Sequence, residues 1–360
     1  MPTPANLWPS PLRAPRWHQV LVVAVLLAAA ACDAADTPST PRSTRPPPTP
    51  SGTGTAATVP AFDRGRFAAV IPLPHAGSMA VAGGVVWVHA AGTVARIDPA
   101  TNAVVGKPLR VPADAEAIAV GKGALWAARV APGDLGAAGK DAVTRTDLAT
   151  GRTVATVTVR RAPLDLAATP GAVWVTNSGG GGDSVARIDP ETNRLAGRPV
   201  TTGASPQSLA VGGGSLWVAN HDARTVTRID QASGKVVADI PVPSEPHRVA
   251  YGVGAVWVGN WHTNSVSRID PETNRVVGSP IPVGFHAGNL AVGTGSVWVT
   301  SDYRVDAAPE DVVVVRVDPR TNRAVETIAV GGHPIDVAAT EDAVWVSVAE
   351  PGMVLRIAAG

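Results

Sequence analysis

The chain has 360 residues, 45% of them apolar and 16% charged, with a formal net charge of +1. That balance excludes a nucleic-acid binder, which needs a dense Lys/Arg face to neutralise phosphates. Abundant Gly and Pro, 37 and 33 residues, against few Phe, Tyr and Met favour short strands and many turns.

At the N-terminus, Arg13, Arg16 and His18 precede an unbroken apolar run from Val20 to Ala31 that ends at Cys32. Twelve residues are too few to span a bilayer, so the run reads as the apolar part of an export signal. Cys32 is the sole cysteine and follows Ala29-Ala30-Ala31, small residues of the kind a signal peptidase accepts. The arrangement resembles a bacterial lipobox, although Ala29 stands where that pattern prefers Leu. The resemblance implies a signal peptide over 1–31, lipidation at Cys32 and an anchor on the extracytoplasmic face of the cell membrane. The alternative is an ordinary secretory signal with an incidental Cys32. With no second cysteine, no intramolecular disulfide forms. Residues 32–62 are dominated by Pro, Thr, Ser, Gly and Ala. They cannot bury enough apolar surface to offset ordering, and read as a disordered tether.

From Phe67 onward one pattern recurs: an apolar strand, a Gly-rich turn, a strand carrying Trp, a loop, a strand often ending Arg-Ile-Asp, a turn and a Val-rich strand. Trp87, Trp126, Trp174, Trp217, Trp257, Trp298 and Trp345 recur at a mean spacing of 43 residues. The period within each unit is two, as in Ser215-Leu216-Trp217-Val218-Ala219, which selects strands over a helical solenoid. The fold expected over 63–360 is therefore an all-β, seven-bladed β-propeller with four strands per blade. Turns such as Asp189-Pro190-Glu191-Thr192-Asn193 close the third strand; Asp accepts backbone N–H groups, Pro presets a dihedral and Asn takes the left-handed region. Glycine replaces that Asn at Gly151 and Gly234. The last unit stops at Ile357 without a fourth strand, and Phe67–Ile71 is a spare strand ahead of the first unit. The N-terminal strand is expected to complete the last blade, leaving no long open edge.

Trp-Val-Thr-Asn at 174–177, Trp-Val-Ala-Asn at 217–220 and Trp-Val-Gly-Asn at 257–260 resemble the motif of YVTN-repeat propellers. With the Arg-Ile-Asp strands, the span 67–357 is similar to the extracytoplasmic propellers that include virginiamycin B lyase. Glu245-Pro246-His247 resembles the Glu-Pro-His of that lyase, which implies a magnesium-assisted elimination across a carbon–oxygen bond using Glu245 and His247. The resemblance is incomplete: Asn260 and Trp261 stand where the lyase has an acidic residue, and Gln207 stands in place of another His. Asp147 to Gly151 looks like part of a quinone-cofactor propeller repeat, but the Trp that should follow is absent, so that cofactor is discounted.

Polar residues concentrate in two sets of loops that a propeller places on one face. Entering the first strands are His75, Asp114, Glu116, Glu245, His247, His286 and His333; after the second strands come His221, His262, Asp302 and Tyr303. Candidate ligand-binding residues are His75, Glu245, His247, Trp261, His262, His286 and His333. His247, His286 and His333 form a candidate set for a divalent metal, since imidazole ligates and titrates near neutral pH. A solvated rim is the plain alternative, and none of these histidines has the fixed spacing of a metal motif. Gly179 to Gly182 lacks the Lys-Ser/Thr of a phosphate loop, and the insertions near 131–140 and 302–311 read as partner-selecting loops or tolerated surface length. The expected function is binding or scaffolding at the cell envelope, by a monomer recognising a small molecule, peptide, glycan or envelope protein. The alternative is the lyase-like reaction.

Overall fold

Each recurring Trp-containing segment forms the second strand of a four-stranded antiparallel sheet, and seven such sheets make a ring. A computed structural model describes residues 62–130, 141–179, 183–302 and 312–358. The expected export signal, Cys32, nearly all of the expected tether, Tyr303 and most of both insertions lie outside the described residues. The blades are numbered 1 to 7 in chain order. Their inner strands are Ala76–Ala82, Ala115–Gly121, Leu166–Thr169, Pro206–Gly212, Pro246–Gly252, Ala287–Gly293 and Pro334–Ala339. Each inner strand touches that of the next blade, and the seventh touches the first.

The chain closes as its ends require. Ala69–Pro72 pairs with Met353–Ala358 as the outermost strand of blade 7, with Ala69 opposite Arg356 and Pro72 opposite Met353. The strand starts two residues later than Phe67 because Asp63 caps a short 3-10 turn, Arg64–Arg66, accepting from Gly65 N at 2.9 Å. Phe67 is instead buried among residues of blades 6 and 7.

The period of two has a sharper meaning than one buried and one open face. The second strands, such as Ser215–Asn220, are buried at every residue. Leu216 and Val218 pack with Trp174 of blade 3, while Trp217 and Ala219 pack with Val256 and Val258 of blade 5. Alternation thus sorts side chains between two neighbouring blades. Each tryptophan lies in a separate apolar cluster completed by the following blade. Burying one such indole is worth about 4–6 kcal/mol of transfer energy as an upper estimate.

An arginine on the third strand covers the indole. Arg228 stands 4.8 Å from the Trp217 ring centroid, and Arg145, Arg268 and Arg356 stand 5.3 Å from Trp126, Trp257 and Trp345. From there it reaches the next blade: Arg228 donates to Pro271 C=O at 2.6 Å and Asn274 Oδ1 at 2.8 Å. Arg145 does the same to Pro190 and Asn193, Arg268 to Pro319 and Asn322, and Arg356 to Pro99 and Asn102 across the closure. Asn274 has φ 54°, as the turn requires, and its side chain serves as the acceptor for the neighbouring blade. Where Gly151 or Gly234 replaces the Asn, that acceptor is absent, and Arg187 keeps only a 3.4 Å bond to Gly171 C=O.

Arg228→Ala removes two close inter-blade bonds and a cation–π contact, and is expected to cost about 2–3 kcal/mol in urea denaturation. Arg187→Ala should cost about 1 kcal/mol or less. Equal losses would show that the clamp adds nothing to indole stacking.

Candidate functional site

The tryptophan pairing gives a common ruler for the inner strands. Two residues before the cross-strand partner of each Trp stand Ser78, Ala117, Asp165, Ser208, Arg248, Asn289 and Asp336. This ring of positions lines the channel, and sequence reading overlooked its charged members. Arg248 Nε donates to Asn289 Oδ1 at 2.5 Å, and Asn289 Nδ2 donates to Ile335 C=O. Asp165 accepts from Leu209 N at 2.9 Å and Leu166 N at 2.8 Å. Asp336 likewise accepts from Met79 N at 2.7 Å and Val337 N at 2.8 Å. Both aspartates therefore join one inner strand to the next. Burial pushes Asp165 upward, Asp336 to about 6 and Glu116 to about 7, with the Arg248 charge opposing each rise. No motif marks these positions, because the inner strands carry other polar residues such as Glu116, Gln207 and His247.

Glu245, His286, His333 and His75 share a second ring position, immediately before the inner strands, whereas His247 lies two residues further in. The loops after the second strands complete the mouth. In blades 4 and 5 they start from a buried asparagine that fixes the hairpin: Asn220 Nδ2 donates to Thr225 and Thr227, and Asn260 Nδ2 to Ser265 and Ser267. The Asn of the Trp-Val-x-Asn motif is thus structural, and it delivers the next residues, His221 in one blade and Trp261-His262 in the other. Trp261 N then donates to Glu245 C=O at 3.0 Å, and Asp302 N to His286 C=O at 2.9 Å.

These supports gather a group across blades 4 to 6. Trp261 lies between two imidazoles, edge-on to His247 with centroids 4.5 Å apart and tilted to His286 at 5.4 Å. His286 Nδ1 is 2.8 Å from Trp261 C=O; a carbonyl only accepts, so Nδ1 carries a proton and Nε2 is the ring nitrogen not engaged in that bond. Glu245 pairs with Arg224, accepts from Ser244 Oγ at 2.8 Å and lies 3.4 Å from His262 Nδ1. Its own backbone N–H, Ser244 and Arg224 hold its carboxyl down to about 2. His262 and His221 rings are 6.3 Å apart. His247 is 8% exposed, and burial lowers it well below its ordinary value, with Arg248 and His221 adding to the shift. Arg224 has φ 55°, a conformation uncommon for a side chain of its size, which turns it back toward Glu245.

The candidate metal set His247, His286 and His333 is not gathered. His247 sits deeper than the other two, and both it and His286 contact the Trp261 ring. Among the described residues no group of three or more His, Cys, Asp or Glu is arranged to hold a metal ion. His75 is exposed in blade 1 and His333 half-buried in blade 7; neither joins the ring contacts around Trp261. Asp114 pairs locally with Arg129 at 2.9 Å.

No protein-family profile matches this chain, and no curated protein sequence matches it. Among solved structures it is similar to a chain of Kuenenia stuttgartiensis hydrazine synthase, at 16% identity and TM-score 0.64, covering 79% of this chain and 96% of that one. It is also similar to a chain of the mitotic checkpoint complex, at 12% identity and TM-score 0.68, covering 90% and 99%. The computationally designed Ika8 protein matches at 13% identity and TM-score 0.57, covering 80% and 97%. What they share is the propeller fold. At such identities the site has to be read from its own residues.

Glu116 favours its protonated form in the fold, so its stabilising contribution is present below about pH 4.5 and is lost as pH rises through about 7. Glu116→Gln is therefore expected to raise the melting temperature at pH 8 and leave it unchanged at pH 4. A shift of equal size at both pH values would contradict the burial of that carboxyl.

Proposed function

We propose that this chain is an exported, lipid-anchored, monomeric propeller of the cell envelope that binds a ligand on its loop face, over blades 4 to 6. The observation that carries the reading is the Trp261 group: an aromatic ring flanked by His247 and His286, beside the Glu245–Arg224–His262 cluster. Residues at the Trp261 position in blades 1 and 2 are Ala91 and Val130, so these features belong to the mouth and not to the repeat. Loops held by a rigid ring are where propellers of this kind place recognition.

The lyase-like alternative needs Glu245 or His247 to exchange a proton near neutral pH. Glu245, held down to about 2 by Ser244 and Arg224, is a weak base. His247, lowered far by burial, is not protonated near neutral pH and so is a poor acid. General acid–base catalysts work best with values near the operating pH. Binding is accordingly favoured over elimination, and the resemblance at Glu245-Pro246-His247 is read as mouth architecture.

Binding is tested by thermal shift against a library of small molecules, short peptides and oligosaccharides. Saturable stabilisation that disappears in Trp261→Ala and His262→Ala is expected; hits insensitive to both variants would remove the site from this face. Magnesium-dependent turnover of an ester-linked substrate, lost in His247→Ala, would instead establish the lyase. The anchor is tested by Cys32→Ala, expected to move the protein from the membrane fraction to the soluble extracytoplasmic fraction; unchanged fractionation would contradict lipidation.

A further inference from the structure

The proton positions at the mouth narrow the ligand class. This step rests on the loop-face reading above. His286 donates through Nδ1 to Trp261 C=O, which leaves Nε2 to bond a ligand. His247 is over nine-tenths buried, and its Nδ1 has no hydrogen-bond partner. The Gly288 backbone opposes part of the lowering of His247. A buried polar atom left without a partner costs free energy unless a ligand or water satisfies it. The Glu245 carboxylate is an acceptor, and its charge is balanced by Arg224. Arg248, close enough to lower His247, is in turn opposed by Glu116, Asp165 and Asp336. The mouth thus offers a carboxylate acceptor, His286 Nε2, an indole, and no large uncompensated charge.

We infer that the mouth binds a neutral sugar ring of a glycan, whose hydroxyl groups bond to His286 Nε2 and the Glu245 carboxylate while its C–H surface lies on Trp261, with buried His247 backing that ring. A cationic ligand would meet Arg224 and gain no free carboxylate; an anionic one would meet the Glu245 carboxylate. Among the described residues no group of three or more His, Cys, Asp or Glu is arranged to hold a metal ion. A polyhydroxylated neutral ring supplies several O–H donors at once and needs no counter-charge.

Isothermal titration of the purified propeller with maltohexaose, cellohexaose, mannohexaose and chitohexaose tests this, with a chitosan hexamer and an oligogalacturonate as charged comparators. At least one neutral hexamer is expected to bind saturably, with or without a chelator. Trp261→Ala and His286→Leu should each weaken it by about tenfold or more; His286→Leu serves alone if Trp261→Ala fails to fold. Failure of every neutral hexamer, or equal binding by wild type and His286→Leu, overturns the inference. Binding confined to a charged comparator or to a peptide, and lost in the variants, also overturns it but leaves the loop-face reading standing. Loss of neutral-hexamer binding on chelation assigns the site to a metal and overturns it as well.

Discussion

A blade of this protein has two apolar faces and no core of its own, so every blade depends on a neighbour at each side. The indole of one blade fills the space against the next, and in four of the blades the arginine on the third strand reaches the following Asp-Pro-x-Thr-Asn turn. Trp217, Arg228, Pro271 and Asn274 make one such unit; Trp345, Arg356, Pro99 and Asn102 make another across the seam where the chain ends meet. Because the unit is repeated, the second and third strands are committed to packing. The residues free to differ are those in the loops and along the channel wall.

Much of the fold was legible because packing demands repetition. The Trp spacing, the Asp-led turns with Asn or Gly at the left-handed position, and the spare strand before blade 1 each answer a local requirement that sequence displays. What sequence concealed were the second uses of the same residues. Asn274 had a sufficient reason to be present in its turn, so nothing signalled that its side chain also receives Arg228 from another blade, 46 residues away. Asp165, just before a short apolar strand, and Asp336, inside one, belong to no motif, and their bonds run to backbone groups of the next blade. Such partners become visible only once the ring is closed.

The candidate site was legible as a set of residues and illegible as a geometry. Glu245, His247, Trp261, His262 and His286 do come together, because loop position alone places them at one mouth. The three candidate metal ligands differ in register: His247 is two residues deeper than the position shared by His286 and His333. Two residues along an extended strand amount to roughly 6.5 Å, enough to separate ligands that a list of loop histidines treats as equivalent. The role of Arg224 was also missed, since its pairing with Glu245 depends on a left-handed backbone that no sequence pattern marks for arginine.

The consequence for chemistry is a mouth that sets a buried, neutral His247 and a compensated Glu245 carboxylate around an indole, and is poorly suited to moving protons. At its centre, His247 stays neutral against Trp261 while His286 donates through Nδ1 to the Trp261 carbonyl. Long-range proton–nitrogen NMR of the two rings tests this directly. The predicted result is a protonated Nδ1 in His286 and a neutral His247 ring at neutral pH. An imidazolium at His247, or a His286 ring protonated at Nε2 alone, would contradict it.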